Sequence, residues 1–179
     1  MKLDMDDYNS IQSLAKAVKA ELPAVDHLLL NAGIGILKHE TGPSGHERLM
    51  QVKYLSNVLL LLELLPQLEA NAAKTGVPSR TTWVGSRRHS QSTLSNKAPV
   101  QSGETVVGHM DDPKNFLPFQ NYNDTKLLCA LFLYELAPRL DRNKVIVNKL
   151  CPGMVDTTMS DVLPLYLRVP VNIMKTIRT

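Results

Sequence analysis

Three short β-rich runs, each closing on a turn and each followed by a stretch long enough for a helix, constrain this chain most. Residues 25–30 run apolar into Asn31-Ala32-Gly33. Residues 80–86 pass through Trp83-Val84-Gly85, and residues 144–151 stop at Pro152-Gly153. Parallel neighbours in a sheet need a crossover of roughly a dozen residues or more, usually helical. Alternating strand and helix at this spacing predicts an α/β fold on a parallel sheet.

The intervening segments carry the helical signal. Ile11, Leu14, Val18 and Leu22 recur on one face and predict an amphipathic helix over 10–22, ended by Pro23. A Gly/Pro loop at 41–46 leads into a long helix from about 47 to 71. Its middle is apolar nearly all round, as in a helix covered on more than one side. The greasiest run there is broken by Glu63 and closed by Pro66, short of the roughly 20 apolar residues of a membrane span. Leu127, Leu128, Leu131, Leu133 and Leu136 mark the apolar side of a helix over 122–140. Residues 163–177 read as a Pro-interrupted helical tail. The 87–120 segment is polar and loop-like, and a structureless stretch of that length is usually functional or an insertion.

Composition removes several classes. A chain of 179 residues, 44% hydrophobic and 21% charged, is neither disordered nor too small for one core. Its net charge of +3 is mild and its Lys and Arg are scattered, so no basic stripe points to nucleic acid. The densest spot, Arg87-Arg88, reads as a surface pair. Cys129 and Cys151 form no metal-spaced cluster and are expected to be buried, reduced thiols. The N-terminus lacks the apolar core of a signal peptide, so a cytoplasmic location is expected.

Two features carry chemistry. Tyr122 and Lys126 are four apart at a helix start and share a face. An ammonium beside a phenol favours the phenolate, which suits the phenol to acid–base work. In isolation such a pair reads more readily as exposed helix surface. Ser86 closes a strand, where a hydroxyl faces the crevice in which open α/β sheets bind ligands. The plainer reading is a serine that caps a loop.

Leu3-Asp4, Leu30-Asn31-Ala32-Gly33, Val84-Gly85-Ser86, Tyr122-x-x-x-Lys126 and Cys151-Pro152-Gly153-Met154-Val155-Asp156-Thr157 follow in that order, each at its strand end or helix start. Together they resemble the short-chain dehydrogenase/reductase family along essentially the whole chain. The 87–120 segment is similar to the insertion of the retinol-dehydrogenase-like branch. The resemblance implies a partial Rossmann-like doubly wound sheet forming a single domain, with 158–179 as its substrate-side segment. It implies that Tyr122 is the catalytic acid/base, that Ser86 holds the reacting oxygen, and that Lys126 binds the nicotinamide ribose and lowers the Tyr122 pKa. Asp4 then matches an adenine contact, Asn31 the adenine-side ribose, and Val155 and Thr157 the loop at the carboxamide and phosphates. The implied chemistry is hydride transfer between NADP, or NAD, and a carbonyl or secondary alcohol of a small lipophilic substrate. Homodimer pairing through helices 47–71 and 122–140 is implied as well.

The chain departs from the family pattern in two places. Val52-Lys53-Tyr54-Leu55 stands where the family has an Asn in a V-N-x-L-like context, so Lys53 takes that cofactor-side place. A second cation facing Lys126 would repel it, unless Lys53 snorkels to solvent. Asn57, one turn on, is a candidate substitute. No glycine-rich turn that would cradle a pyrophosphate precedes Leu3-Asp4, which reads as a start after the third strand of the family fold. The C-terminus likewise reads as falling before its last strand. The expectation is an NAD(P)-dependent oxidoreductase in a shortened chain. The alternatives are a catalytically inactive remnant kept as an interaction partner, and an unrelated α/β binding module.

Overall fold

The computed structural model describes residues 1–94, 99–153, 155, 163–166, 168–169 and 173. Strands β1 (His27–Leu30), β2 (Ser79–Val84) and β3 (Val145–Leu150) form a parallel sheet in the order β1-β2-β3. Leu28 lies opposite Thr81 in one pair and Thr81 opposite Val147 in the other, so the three C-terminal ends align.

Helix α1 (Tyr8–Glu21) starts where the Asp7 carboxylate accepts the Asn9 N–H at 2.8 Å, which satisfies one unpaired helix donor. It buries Ile11, Ala15 and Val18. The long helix begins as α2 (Arg48–Met50), passes through a π-helical segment (Gln51–Leu55) and continues as α3 (Ser56–Thr75) to Gly76, whose φ of 70° gives a left-handed stop. The run Arg48–Thr75 is 28 residues long and, by length and composition, apolar enough to cross a bilayer. In this fold 56% of its most apolar window is buried, with Leu60, Leu61, Leu64 and Leu68 in the core.

The core continues through Ile11, Leu30, Trp83, Cys129, Leu133 and Val145. Phe132 receives Tyr54 and Trp83 edge-on at 6.3 and 6.1 Å, tying the π segment, β2 and α5 (Gln120–Leu136) together.

Several expectations change. Residues 87–120 are not a bare loop: they hold 3-10 turns at Arg87–Gln91 and Pro113–Asn115 and helix α4 (Val106–Asp111). These elements are too short for the 3.6-residue pattern to emerge, yet His109 and Met110 are buried. Leu131, expected on the apolar side of α5, is exposed, while Cys129 takes the core position. Cys151 is exposed and not buried, because it follows β3 into the crevice. At β1 the continuous apolar run is covered on one face only: Leu30 is 2% exposed and Leu29 62%.

Candidate active site

The C-terminal ends of the strands open onto one crevice, and α5 delivers a phenol and an amine to it. Gly85, just past β2, allows a close approach there. A Cβ on it would stand 2.8 Å from Lys149 Cγ and 3.2 Å from the Leu150 carbonyl oxygen. Its N–H donates to that carbonyl at 2.7 Å, which fixes the direction in which the next residue, Ser86, leaves the sheet. The capping reading of Ser86 is seen directly: its hydroxyl accepts the Arg88 N–H at 3.2 Å and caps the 3-10 turn, and the same hydroxyl lies near enough to the Tyr122 phenol to lower its pKa.

Helix α5 enters through Phe119, whose φ of 66° is rare for a residue with a side chain. Burial pushes the Tyr122 phenol up from its ordinary value, and the Ser86 hydrogen bond and nearby Arg88 only partly oppose this. One turn on, Lys126 Nζ donates to the Val84 carbonyl at 2.6 Å. Burial lowers the affinity of this amine for its proton.

Lys53 does not snorkel to solvent. The π segment turns it inward, where it is 1% exposed, with Nζ over the Tyr122 ring 3.2 Å from the ring centroid. That Nζ is buried without a hydrogen-bond partner. Burial first, and Lys126 second, hold the amine well below the ordinary lysine range. Gly33 packs beside the side chain, where an added Cβ would make an ordinary contact with Lys53 Cε at 3.6 Å. Asn57 Nδ2 donates to the Val52 and Lys53 carbonyls at 2.8 and 3.3 Å, which the π turn leaves free, and reaches the Ala32 carbonyl at 3.5 Å.

The other predicted residues are more peripheral. Asp4 is exposed and its carboxylate accepts the Asp6 N–H at 3.0 Å. Asn31 is exposed just beyond β1, and Val155 is 46% exposed beyond β3. Thr157 lies outside the described residues. Among those described, no recorded contact brings Asp4, Asn31 or Val155 to Tyr122.

Three site residues were not anticipated. Asp124 is buried and accepts from Ser92 Oγ at 2.6 Å, Thr93 N at 2.7 Å and Thr93 Oγ1 at 2.9 Å. Arg88 Nε donates to Asn123 Oδ1 at 3.0 Å. These bonds fasten the segment after Ser86 to the first turns of α5, holding hydroxyl and phenol in register. The available signal was the polar triplet Asn123-Asp124-Thr125 beside Tyr122 on a helix otherwise expected to face the core. Cys151 is the third. The Gly153 and Arg87 N–H groups on its sulfur lower the thiol's pKa.

The residues present fit the nicotinamide end of a dinucleotide. Lys126 and Tyr122 converge at the strand ends, and the Asn31-Ala32-Gly33 and Cys151-Pro152-Gly153 turns flank the same crevice. Among the described residues, no group of acidic, His and Cys side chains could hold a metal.

No family model matches the chain. It is 57% identical over 178 residues to short chain dehydrogenase macD of Penicillium terrestre, across 99% of this chain and 54% of the relative. Short-chain dehydrogenase/reductase tropG of Talaromyces stipitatus is 56% identical over the same shares. Among solved structures, the Pseudomonas aeruginosa RhlG/NADP complex has a TM-score of 0.62 at 21% identity, over 90% of this chain and 55% of that one. The 3-ketoacyl-(acyl-carrier-protein) reductase of Brucella melitensis complexed with NADH has a TM-score of 0.60 at 22% identity, over 88% and 56%. At these identities the structures show a shared Rossmann fold. The chain spans about half the length of the curated relatives it matches, and on its sequence and fold it belongs to the short-chain dehydrogenase/reductase family.

Proposed function

We propose that this chain carries the proton-transfer centre of an NAD(P)-dependent oxidoreductase that interconverts a carbonyl and a secondary alcohol. The observation behind this reading is the gathering of Ser86, the buried Tyr122 phenol and Lys126, one turn on and bonded to the Val84 carbonyl, at the strand ends. The nicotinamide, when bound, exchanges the hydride. Ser86 holds the reacting oxygen and Tyr122 Oη exchanges a proton with it. Lys126 binds the nicotinamide ribose, and its ammonium favours the phenolate once the proton has left.

Asp4, Asn31, Lys53, Val155 and Thr157 are the proposed further cofactor contacts. NADP is the proposed form, with NAD the alternative; the RhlG and Brucella structures hold one of each. A small lipophilic substrate is supported by the 158–179 segment, whose described residues Leu165, Tyr166 and Val169 are exposed and apolar or aromatic. Pairing of two copies through the long helices is supported by Leu62, Leu131 and Tyr134, exposed on α3 and α5. A cytoplasmic location belongs to the same reading.

The test is consumption of NADPH and of NADH, each at saturating concentration, with a panel of lipophilic aldehydes and ketones. Carbonyl-dependent consumption with either cofactor supports the reading. Its absence with both would count against it.

A further inference from the structure

Lys53 combines burial, proximity to the acid and an unused nitrogen. It is 1% exposed, its Nζ lies 3.2 Å from the Tyr122 ring centroid, and that nitrogen has no hydrogen-bond partner. A buried ammonium with all its donors unpaired is costly, and such a group ordinarily gives up its proton. The groups facing it are Tyr122, Lys126 and Cys129 from α5 and Glu47 from the segment before α2. Glu47 has its own work, since its Oε2 accepts the Met50 N–H at 2.9 Å, and burial raises its pKa. Burial pushes the Cys129 thiol up to about 11, so it is neutral through the physiological range. Glu47 is then the acidic group left to favour an ammonium here, against two amines that repel each other when both are charged. Lys126 has an acceptor, the Val84 carbonyl, and Lys53 has none.

We propose that Lys53 is a positioning residue of the reductase centre that shares a single positive charge with Lys126, so that the two amines together govern when Tyr122 gives up its proton. In the resting site Lys126 holds the charge and Lys53 is a neutral amine against the face of the phenol. When Tyr122 passes its proton to a carbonyl oxygen, the phenolate left behind offsets a second ammonium. Lys53 then takes a proton from solvent, and the net charge of the pocket is restored. An Asn at this position could not do this, because its amide does not titrate near neutral pH.

The inference rests on the reductase reading above, but its test needs no turnover, so either can fail alone. The chain is labelled with 13Cε-lysine, and the Lys53 resonance is assigned from its loss in Lys53→Arg. Lys53 should titrate well below the ordinary lysine value of 10.5. In Lys126→Met, with the competing charge removed, its midpoint should rise by about one pH unit or more. Titration together with surface lysines, or a midpoint that Lys126→Met leaves in place, overturns the proposal.

Lys53→Met gives a second readout should Lys126→Met not fold. The folded-state pKa of Lys53 is depressed, so the unfolded chain binds more protons and stability rises with pH across that window. The stabilisation gained by Lys53→Met should therefore be largest at neutral pH and shrink as pH approaches 10.5. A gain that does not change with pH, or no gain, overturns the proposal.

Discussion

At the residue scale the centre is a phenol made a stronger proton holder by burial, an effect that the neighbouring Ser86 hydroxyl only partly opposes. The phenol's ordinary value is 10.0 and its folded value lies above that. Carbonyl reduction, which consumes the protonated phenol, is thus predicted to stay level through neutral pH and to fall only above about pH 10. Alcohol oxidation, which needs the phenolate, should rise over the same alkaline range. Rate profiles in the two directions check this, and a reduction rate that halves near neutrality would contradict it. The convergence of Tyr122, Lys126 and Ser86 on one place was legible only through the order of motifs along the chain, since a four-residue spacing or a strand end alone fits plain surface at least as well. The inward turn of Lys53 was not legible, because it depends on a π segment that the hydrophobic period does not reveal.

At the scale of elements, the site is assembled by polar bonds between segments far apart in sequence. The Asp124 carboxylate fastens Ser92 and Thr93 to α5 with three hydrogen bonds. Asp124→Ala strands those donors, and it should cost about 2–4 kcal/mol in denaturant unfolding, with turnover falling as Ser86 loses register. A change below about 0.5 kcal/mol, the range of an ordinary surface site, would show that the segment is held by something else. Strand and helix order was legible because apolar period and turn residues are local signals. The folding of 87–120 was not, since α4 and its neighbouring 3-10 turns are held by tertiary contacts such as His46 Nδ1 to Asp111 Oδ2 at 2.8 Å. The apolar run ahead of Asn31 predicted a buried strand, but its neighbours decide how much of it is covered.

On the scale of the whole molecule, β1 is the edge of the three-stranded sheet among the described residues, with Leu29 62% exposed on it. Such an edge invites further pairing. The 179-residue chain on its own is predicted to self-associate on size-exclusion chromatography. A monodisperse monomer with a cooperative thermal transition would show that this edge is quiet. The same chain is predicted to bind NAD(P)H weakly, because no glycine-rich turn at a helix N-terminus is present in its sequence to receive the pyrophosphate. Isothermal titration reads this directly, and a dissociation constant in the low micromolar range would contradict it.

The central claim is that Tyr122 is the acid of a nicotinamide-dependent reduction. It is tested most directly by comparing carbonyl-dependent NAD(P)H consumption by the wild-type chain and Tyr122→Phe at saturating cofactor. The phenylalanine keeps the ring under Lys53 and removes only the exchangeable proton. Turnover is predicted to fall by roughly 10²–10⁴-fold with little change in KM for the cofactor. Equal turnover in the two proteins would contradict the account.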